Sequence, residues 1–311
     1  MEWYDAVDVL TTVLASLQGV LVTVSLVAMM TAMGAKLTRG DVRRTIREYN
    51  LVSRWVLANL LAVPLFGALL GVVFGLSDSI FVALLLVGVA PGAPFIPQFV
   101  SMAGGNSHEA VRLTASLTIV ATVTVPLLVA ATLAVLHVET GFSPWRFLLP
   151  LVLVLVIPLV VGGVVRETRP EIAATLASRL TTVSQATLLL ALAIVVLLDL
   201  RGAIRVFGAL FGTGVLLLMA LFVLASVLIG WLVGGPTPEN RRVLALGTAG
   251  RNVNIALFIA TSAFPASDAD ASIVAFAVIM LVVSLLVAWY WKRNPWADDS
   301  ARDDHESVGE T

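Results

Sequence analysis

A helix needs about 20 consecutive apolar residues to cross the hydrocarbon core of a bilayer, and this chain contains nine such runs between polar breaks. They fall near Leu10–Ala35, Ser53–Phe74, Ile80–Met102, Ala110–Leu136, Arg146–Val165, Thr181–Leu200, Val206–Val233, Val243–Phe264 and Ile273–Trp291. At roughly 22 residues each they take up most of the 311 positions and leave no room for a second folded domain. The expected fold class is therefore an all-α polytopic membrane protein of about nine helices. Composition agrees: 59% of residues are hydrophobic and 13% charged, with a mean hydropathy of +0.99, whereas soluble domains carry about 25% charge. With 19 Lys+Arg against 20 Asp+Glu and a net charge of −1, there is no basic excess to neutralise the phosphates of a nucleic acid. The absence of cysteine excludes disulfides, thiolate nucleophiles and iron–sulfur ligation. Three histidines in polar segments offer little to a metal, so no cofactor is expected.

Charge orients the spans. Beyond the N-terminal side, the loops of that face hold only Arg146, Arg201 and Arg205. The other face holds 15 Lys or Arg, of which Lys36, Arg39, Arg43, Arg44, Arg47 and Arg54 crowd one connection. The positive-inside rule puts the N-terminus outside and the C-terminus in the cytoplasm of a cell (inner) membrane protein, as an odd number of spans requires. The basic 36–54 connection enforces this topology and touches anionic lipid. The N-terminal flank MEWYDAVDV has three acids and no Lys or Arg, unlike the positive start of a signal peptide. Residues 297–311 are acidic, almost free of apolar side chains and expected to be disordered.

Two spans are interrupted. The third carries Pro91, Gly92, Pro94 and Pro97 about halfway along, and proline both removes a helical donor and clashes with the preceding turn. The eighth carries Gly247, Gly250, Arg251, Asn252 and Asn254 at its middle. A shift of about 158 residues lays the first break on the second and also superposes the flanking turns. The 1–296 membrane unit thus divides into one repeat at about 10–136 and another at about 144–291. The two broken spans are five helices apart and run in opposite directions, so the repeats are inverted. Inverted repeats with discontinuous helices meeting near the midplane are a transporter architecture. Broken helices leave N–H and C=O groups that lipid cannot satisfy, so these groups must face protein or a watery cavity.

Arg251 lies nine residues beyond Arg242, about 14 Å into the membrane at 1.5 Å per residue. A charge at that depth is costly and marks a functional site, and no Asp or Glu lies comparably deep. Either its guanidinium is a built-in cation held by carbonyls at the break in the third span, or it receives a substrate carboxylate, for which its fork is suited. Asn252 and Asn254 contact substrate or cap backbone, and Gln98 lines the same cavity. Pro91, Gly92, Gly247 and Gly250 shape the crossover backbone. Gln18 and Gln185, inside the first and sixth spans, are expected to bond between helices.

Four stretches carry a resemblance to a known family. MGAKLTRGDV (33–42) is similar to the Met-Gly-x-x-Leu-x-x-x-Asp helix end of the bile acid:sodium symporters, and ANLLAVPL (58–65) resembles their Gln-x-x-x-x-Pro segment. APGAPFIP (90–97) falls at their Pro-Gly-Gly-x-x-Ser-Asn, and GTAGRNVNIALFIATSAFP (247–265) at their Glu-x-x-x-Gln-Asn-x-Gly-Leu-Ala with a later Phe-Pro. The resemblance implies a ten-helix fold, the first helix having no counterpart here. It has a panel (spans one, five and six) beside a core (two, three, four, seven, eight and nine) in which two broken helices cross. It also implies transport of bile acids or other organic anions, often with Na+. The family's sodium ligands are largely replaced: Ser-Asn by Ile96-Pro97, Glu by Gly247, Gln by Arg251. Asn59, with Thr114 and Thr118 spaced i, i+4, is what remains of that ligand set.

Together these readings predict a secondary active transporter of a small organic anion or metabolite, working by alternating access, with coupling to Na+ or protons open. A sodium-independent uniporter or exchanger, or a non-transporting sensor on the same fold, is the alternative. No span-depth acid pair, Ser/His pair or phosphate loop supports an enzyme.

Overall fold

The computed structural model describes residues 2–93, 95–135, 144–198, 214–264 and 269–294. Every described element is a helix. α1 (Glu2–Lys36), α2 (Arg39–Arg47), α3 (Tyr49–Leu57) and α4 (Val63–Val73) come first, the last two joined through one π-helical turn at Ala58–Ala62. Then follow α5 (Asp78–Val89), α6 (Ile96–Met102), α7 (Ser107–Val135), α8 (Pro144–Thr168) and α9 (Pro170–Leu198). The chain ends in α10 (Val215–Val233), α11 (Pro238–Ala249), α12 (Val253–Ala263) and α13 (Ala269–Arg293).

Six of these segments are long and apolar enough to cross a membrane: Val9–Lys36, Tyr49–Val73, Leu149–Thr168, Pro170–Leu197, Val215–Val233 and Ala269–Arg293. A seventh is α7 if its two parts, which meet at 45° between Thr118 and Val120, count as one span. Thr118 and Thr122 each donate to the carbonyl four residues back, a pattern that bends helices, and Pro126 removes a further helical donor. The remaining two of the nine expected spans are each a pair of short helices, α5 with α6 and α11 with α12. Residues 206–213 of the seventh expected span, Pro94, the outer cations Arg201 and Arg205, and the 297–311 tail lie outside the described residues.

α1, α8 and α9 pack chiefly on one another, and the other long helices pack around the two broken pairs. The α1–α8 contact is made backbone to backbone. A Cβ on Gly34 would lie 2.0 Å from the Leu159 carbonyl oxygen, and one on Gly162 would lie 2.1 Å from that of Thr31. Lipid gives helices no hydrophobic reason to associate, so such close approach between small residues supplies the packing. The body is held by a core that includes Phe222 and Phe276, stacked edge-on with centroids 5.6 Å apart.

Arg251 is not the only buried charge among the described residues. Arg112, Glu109 and Arg242 are buried too, each near a helix end. Arg242 Nη1 donates to the carbonyls of Ala103 (3.0 Å) and Gly104 (3.4 Å) at the end of α6, where the helix dipole favours a cation. Arg112 on α7 pairs with Glu109 and with Glu48, which follows α2. Burial pushes the Glu48 carboxyl up, but the hydrogen bonds and charges of Arg44 and Arg112 outweigh it and hold it below the usual carboxylate range.

Two predictions follow from this packing. Gly162→Leu should cost about 1–3 kcal/mol or more through overpacking and lower the unfolding temperature in detergent, whereas the same change at Gly163, which faces open space, should not. Because the folded-state pKa of Glu48 is lowered, its ionised form adds stability above the ordinary carboxylate value, and that stability is lost as pH falls through the folded value. Thermal unfolding between about pH 7 and pH 3 should show a shallower acid-side decline in Glu48→Gln than in the parent.

Candidate functional site

The two interruptions meet. Pro91 and Arg251 form an isolated antiparallel bridge, Asn252 N donates to the Ala90 carbonyl at 2.7 Å, and Ala93 N donates to that of Gly250 at 3.3 Å. Each break therefore supplies the hydrogen-bond partners that the other lost by leaving the helix, as burial away from water demands. Gly92 adopts φ +90°, a region glycine enters without a Cβ clash, and a Cβ there would also come 3.0 Å from Thr118 Oγ1. Pro97 sits in the first turn of α6, where its missing N–H costs nothing. Gly250 makes room for Ile96, and Gly247 for the indole of Trp55, whose Cζ2 would be 2.7 Å from a Cβ at 247.

Arg251 is fully buried at this crossing. Its Nη1 donates to Asn59 Oδ1 at 2.7 Å, and its Nη2 to the carbonyls of Gly88 (2.7 Å) and Asn59 (3.2 Å). Its Nε is buried without a partner. Among the described residues no carboxylate lies within ion-pair distance of it. The guanidinium is thus surrounded by neutral oxygens.

Local backbone irregularity accounts for two of those oxygens. In the π-turn, Val63 N donates to Ala58 O, five residues back, instead of to Asn59 O as an α-helix would have it. In π register the Asn59 carbonyl would look to residue 64, which is Pro64 and has no N–H. It is left free, and Arg251 takes it. Gly88 O lies in the last turn of α5, where carbonyls lose their helical donors. A single inserted residue of this kind is common at functional sites.

The other candidates group around this centre. Asn59 Nδ2 donates to Thr248 Oγ1 at 3.2 Å and to the Trp55 carbonyl at 3.0 Å, and Trp55 Nε1 donates to the same Thr248 oxygen at 2.9 Å. Asn252 caps α12 by accepting from Ile255 N at 3.3 Å, and its Nδ2 faces Met29 Sδ and the Gly92 carbonyl. Asn254 accepts from Ser25 Oγ at 2.6 Å, and the same hydroxyl lies 2.7 Å from the Ser184 carbonyl. That chain links the body to α1 and α9. Thr118 lies against Gly92, and the buried Thr114 Oγ1 has no partner. Gln98 stands apart, exposed on α6. Gln18 Nε2 donates to Asp270 on α13 at 3.4 Å.

Two of the cavities lie along α9. One, of about 260 Å³, lies between α9 and the body and is apolar apart from Asn254, Ser184 and Gln185. The other, of about 440 Å³, is lined by Lys36, Arg166, Gln98, Thr181 and Gln185. Gln185 borders both, so it faces open space where an interhelical bond was expected. Lys36 Nζ donates to Thr181 Oγ1 at 3.2 Å. As sequence, Lys36 and Arg166 belong to the cations of the basic face and carry no sign of a shared cavity. Their one available signal was position, each in the last turn of a span that ends on the basic face.

Removing the Asn59 side chain would leave a buried guanidinium N–H without an acceptor. Asn59→Leu should destabilise the protein by about 1.5–3 kcal/mol, the range for hydrogen bonds to charged groups. In an Arg251→Met background the same change should cost much less. A double-mutant cycle by thermal unfolding measures the difference.

Comparison with known proteins places residues 23–206 in a match to the model of the Sodium Bile acid symporter family. The matched stretch takes in the π-turn, the first break and α7, but stops short of Arg251, Asn252 and Asn254. No curated protein sequence matches the chain significantly.

Proposed function

Because the chain belongs to the sodium bile acid symporter family, matched over more than half its length, we propose that it is a secondary transporter carrying a small organic anion by alternating access. The carrying observation is the pair of helix breaks joined backbone to backbone at a buried cation, beside cavities that separate α1, α8 and α9 from the rest. The antiparallel sense of the Pro91–Arg251 bridge supports two inverted repeats, at about 10–136 and 144–291. Rocking of the three-helix layer against the body would then open the crossing to alternate sides. By the positive-inside rule the cavity of Lys36 and Arg166 faces the cytoplasm, and two cations with no Asp or Glu among the other lining residues would attract an anion there.

Arg251 is read as a tethered cation. Both of its terminal nitrogens are engaged by neutral oxygens and none of its surface is open, which supports an internal counter-charge over a carboxylate receptor. Sodium, the co-substrate in the family's name, would look to oxygens of the same kind as those of Gly88 and Asn59, and the guanidinium already holds these. Transport without sodium at this crossing is the reading that follows, and a sodium-independent uniporter or exchanger fits it as well as proton coupling does.

Uptake of organic anions into proteoliposomes, with and without a sodium gradient, tests the function. Saturable uptake unaffected by sodium is expected. Saturable binding without flux would instead mark a sensor. Arg251→Ala should abolish uptake, whereas Arg251→Lys, which keeps a point charge near the same oxygens, should keep uptake within about tenfold, or 1.4 kcal/mol. Loss of uptake in the Lys variant would favour bidentate carboxylate recognition, and normal uptake in the Ala variant would remove both roles.

A further inference from the structure

The short helix α2 is turned the opposite way from a helix on a water-exposed surface. A surface helix buries its apolar stripe and shows its polar one. In α2 the polar stripe faces the protein. Thr45 Oγ1 lies 2.7 Å from Ser116 Oγ on α7 and accepts from Arg112 Nη1 at 3.3 Å. Glu48, at its end, pairs with the buried Arg112, and Arg44 reaches Glu109 at 3.6 Å. Thr38 and Asp41 close a capping box at its start, so the helix is well defined at both ends.

Its outward face carries Val42, 42% exposed, and Ile46, 68% exposed, with Tyr49 just beyond at 65%. Beside this stripe runs a second one of Arg39, Arg43 and Arg47. Arg39 pairs with Glu167 at 2.6 Å, while Arg43 and Arg47, also exposed, make no hydrogen bond or ion pair among the described residues. α2 joins the end of one span, at Lys36, to the start of the next, at Tyr49, which sets it at the level of the bilayer surface. An apolar stripe flanked by arginines at that level is the pattern of a helix lying in the interface, with side-chain stems in the acyl boundary and guanidinium groups among phosphates.

We infer that α2 is an interfacial helix that binds anionic phospholipid head groups through Arg43 and Arg47, with Val42 and Ile46 inserted into the same leaflet. Charge complementarity commits the surface to anionic lipid: Arg43 and Arg47 are unpaired among the described residues, while Asp41 is held in the Thr38 capping box, Glu167 pairs with Arg39, and Glu48 and Glu109 pair with Arg44 and Arg112. The polar stripe ties the helix to α7, the helix that also carries Thr114 and Thr118, so α2 cannot leave the surface without breaking the Arg112 pairs.

The chain has no cysteine, so single nitroxide labels can be placed without background. In vesicles of phosphatidylcholine with phosphatidylglycerol, labels at Val42→Cys and Ile46→Cys should be accessible to oxygen and shielded from an aqueous nickel chelate. A label at Ser77→Cys, in an exposed turn, should show the reverse. In native mass spectrometry the parent should retain phosphatidylglycerol in preference to phosphatidylcholine, and Arg43→Gln/Arg47→Gln should lose that preference by roughly fivefold per arginine. Labels at 42 and 46 as open to the nickel chelate as the one at 77 would overturn the proposal. So would undiminished phosphatidylglycerol retention by the double variant, even with both labels buried.

Discussion

A helix that stops inside a membrane leaves several N–H and C=O groups without partners, and hydrocarbon supplies none. The centre of this protein is arranged around that constraint. Two helices stop, and the two broken segments pair through Asn252 N with the Ala90 carbonyl and Ala93 N with that of Gly250. The acceptors left over, the carbonyls of Gly88 and Asn59, receive the guanidinium of Arg251. The crossing needs the cation for its carbonyls, and the cation needs the crossing for its burial. Neither would be stable in lipid alone, since an unpaired buried charge is among the most costly features a membrane segment can hold.

The same economy extends one layer outward. Asn59 presents its carbonyl because a π-turn and Pro64 together remove its helical donor, and its side chain joins Arg251 to Thr248 and Trp55. Trp55 in turn fills the space that Gly247 leaves open. The contacts from the crossing to α1 and α9 are of a different kind. They run through one hydroxyl, Ser25, and through the thioether of Met29, a soft and weakly directional partner. The crossing is thus joined by backbone and guanidinium hydrogen bonds, and its polar contacts to α1 and α9 by a hydroxyl and a thioether.

Much of this was legible in the residues. Six of the apolar runs recur as helices long enough to cross a membrane, and a seventh as the bent α7, because a membrane-spanning segment must satisfy its own backbone and so announces itself locally. The breaks were legible for the same reason, since proline and glycine act on their own turn. Burial of Arg242 and Arg112 was not legible, nor was the inward polar face of α2. These depend on Ala103, Gly104 and Glu48, which are 139, 138 and 64 residues distant in the chain, and no local pattern carries such information. The hydroxyl pair Thr114 and Thr118 shares a face of α7 as its spacing implied. Only the packed structure shows that Thr118 is against Gly92 while Thr114 is buried without a partner. Gln98 is exposed on α6 and lines the cavity of Lys36 and Arg166.

By itself the sequence determined that the chain lives in a bilayer, where its helices lie, where two of them fail and that a cation sits at one failure. Hydropathy, proline chemistry and the rise per residue are enough for each of these, since all act within a few turns. Tertiary structure alone decided what Arg251 holds. Its partners come from α5 and from the π-turn, 163 and 192 residues away, and a carbonyl becomes an acceptor for a distant side chain only when folding has removed its own donor and brought the two together.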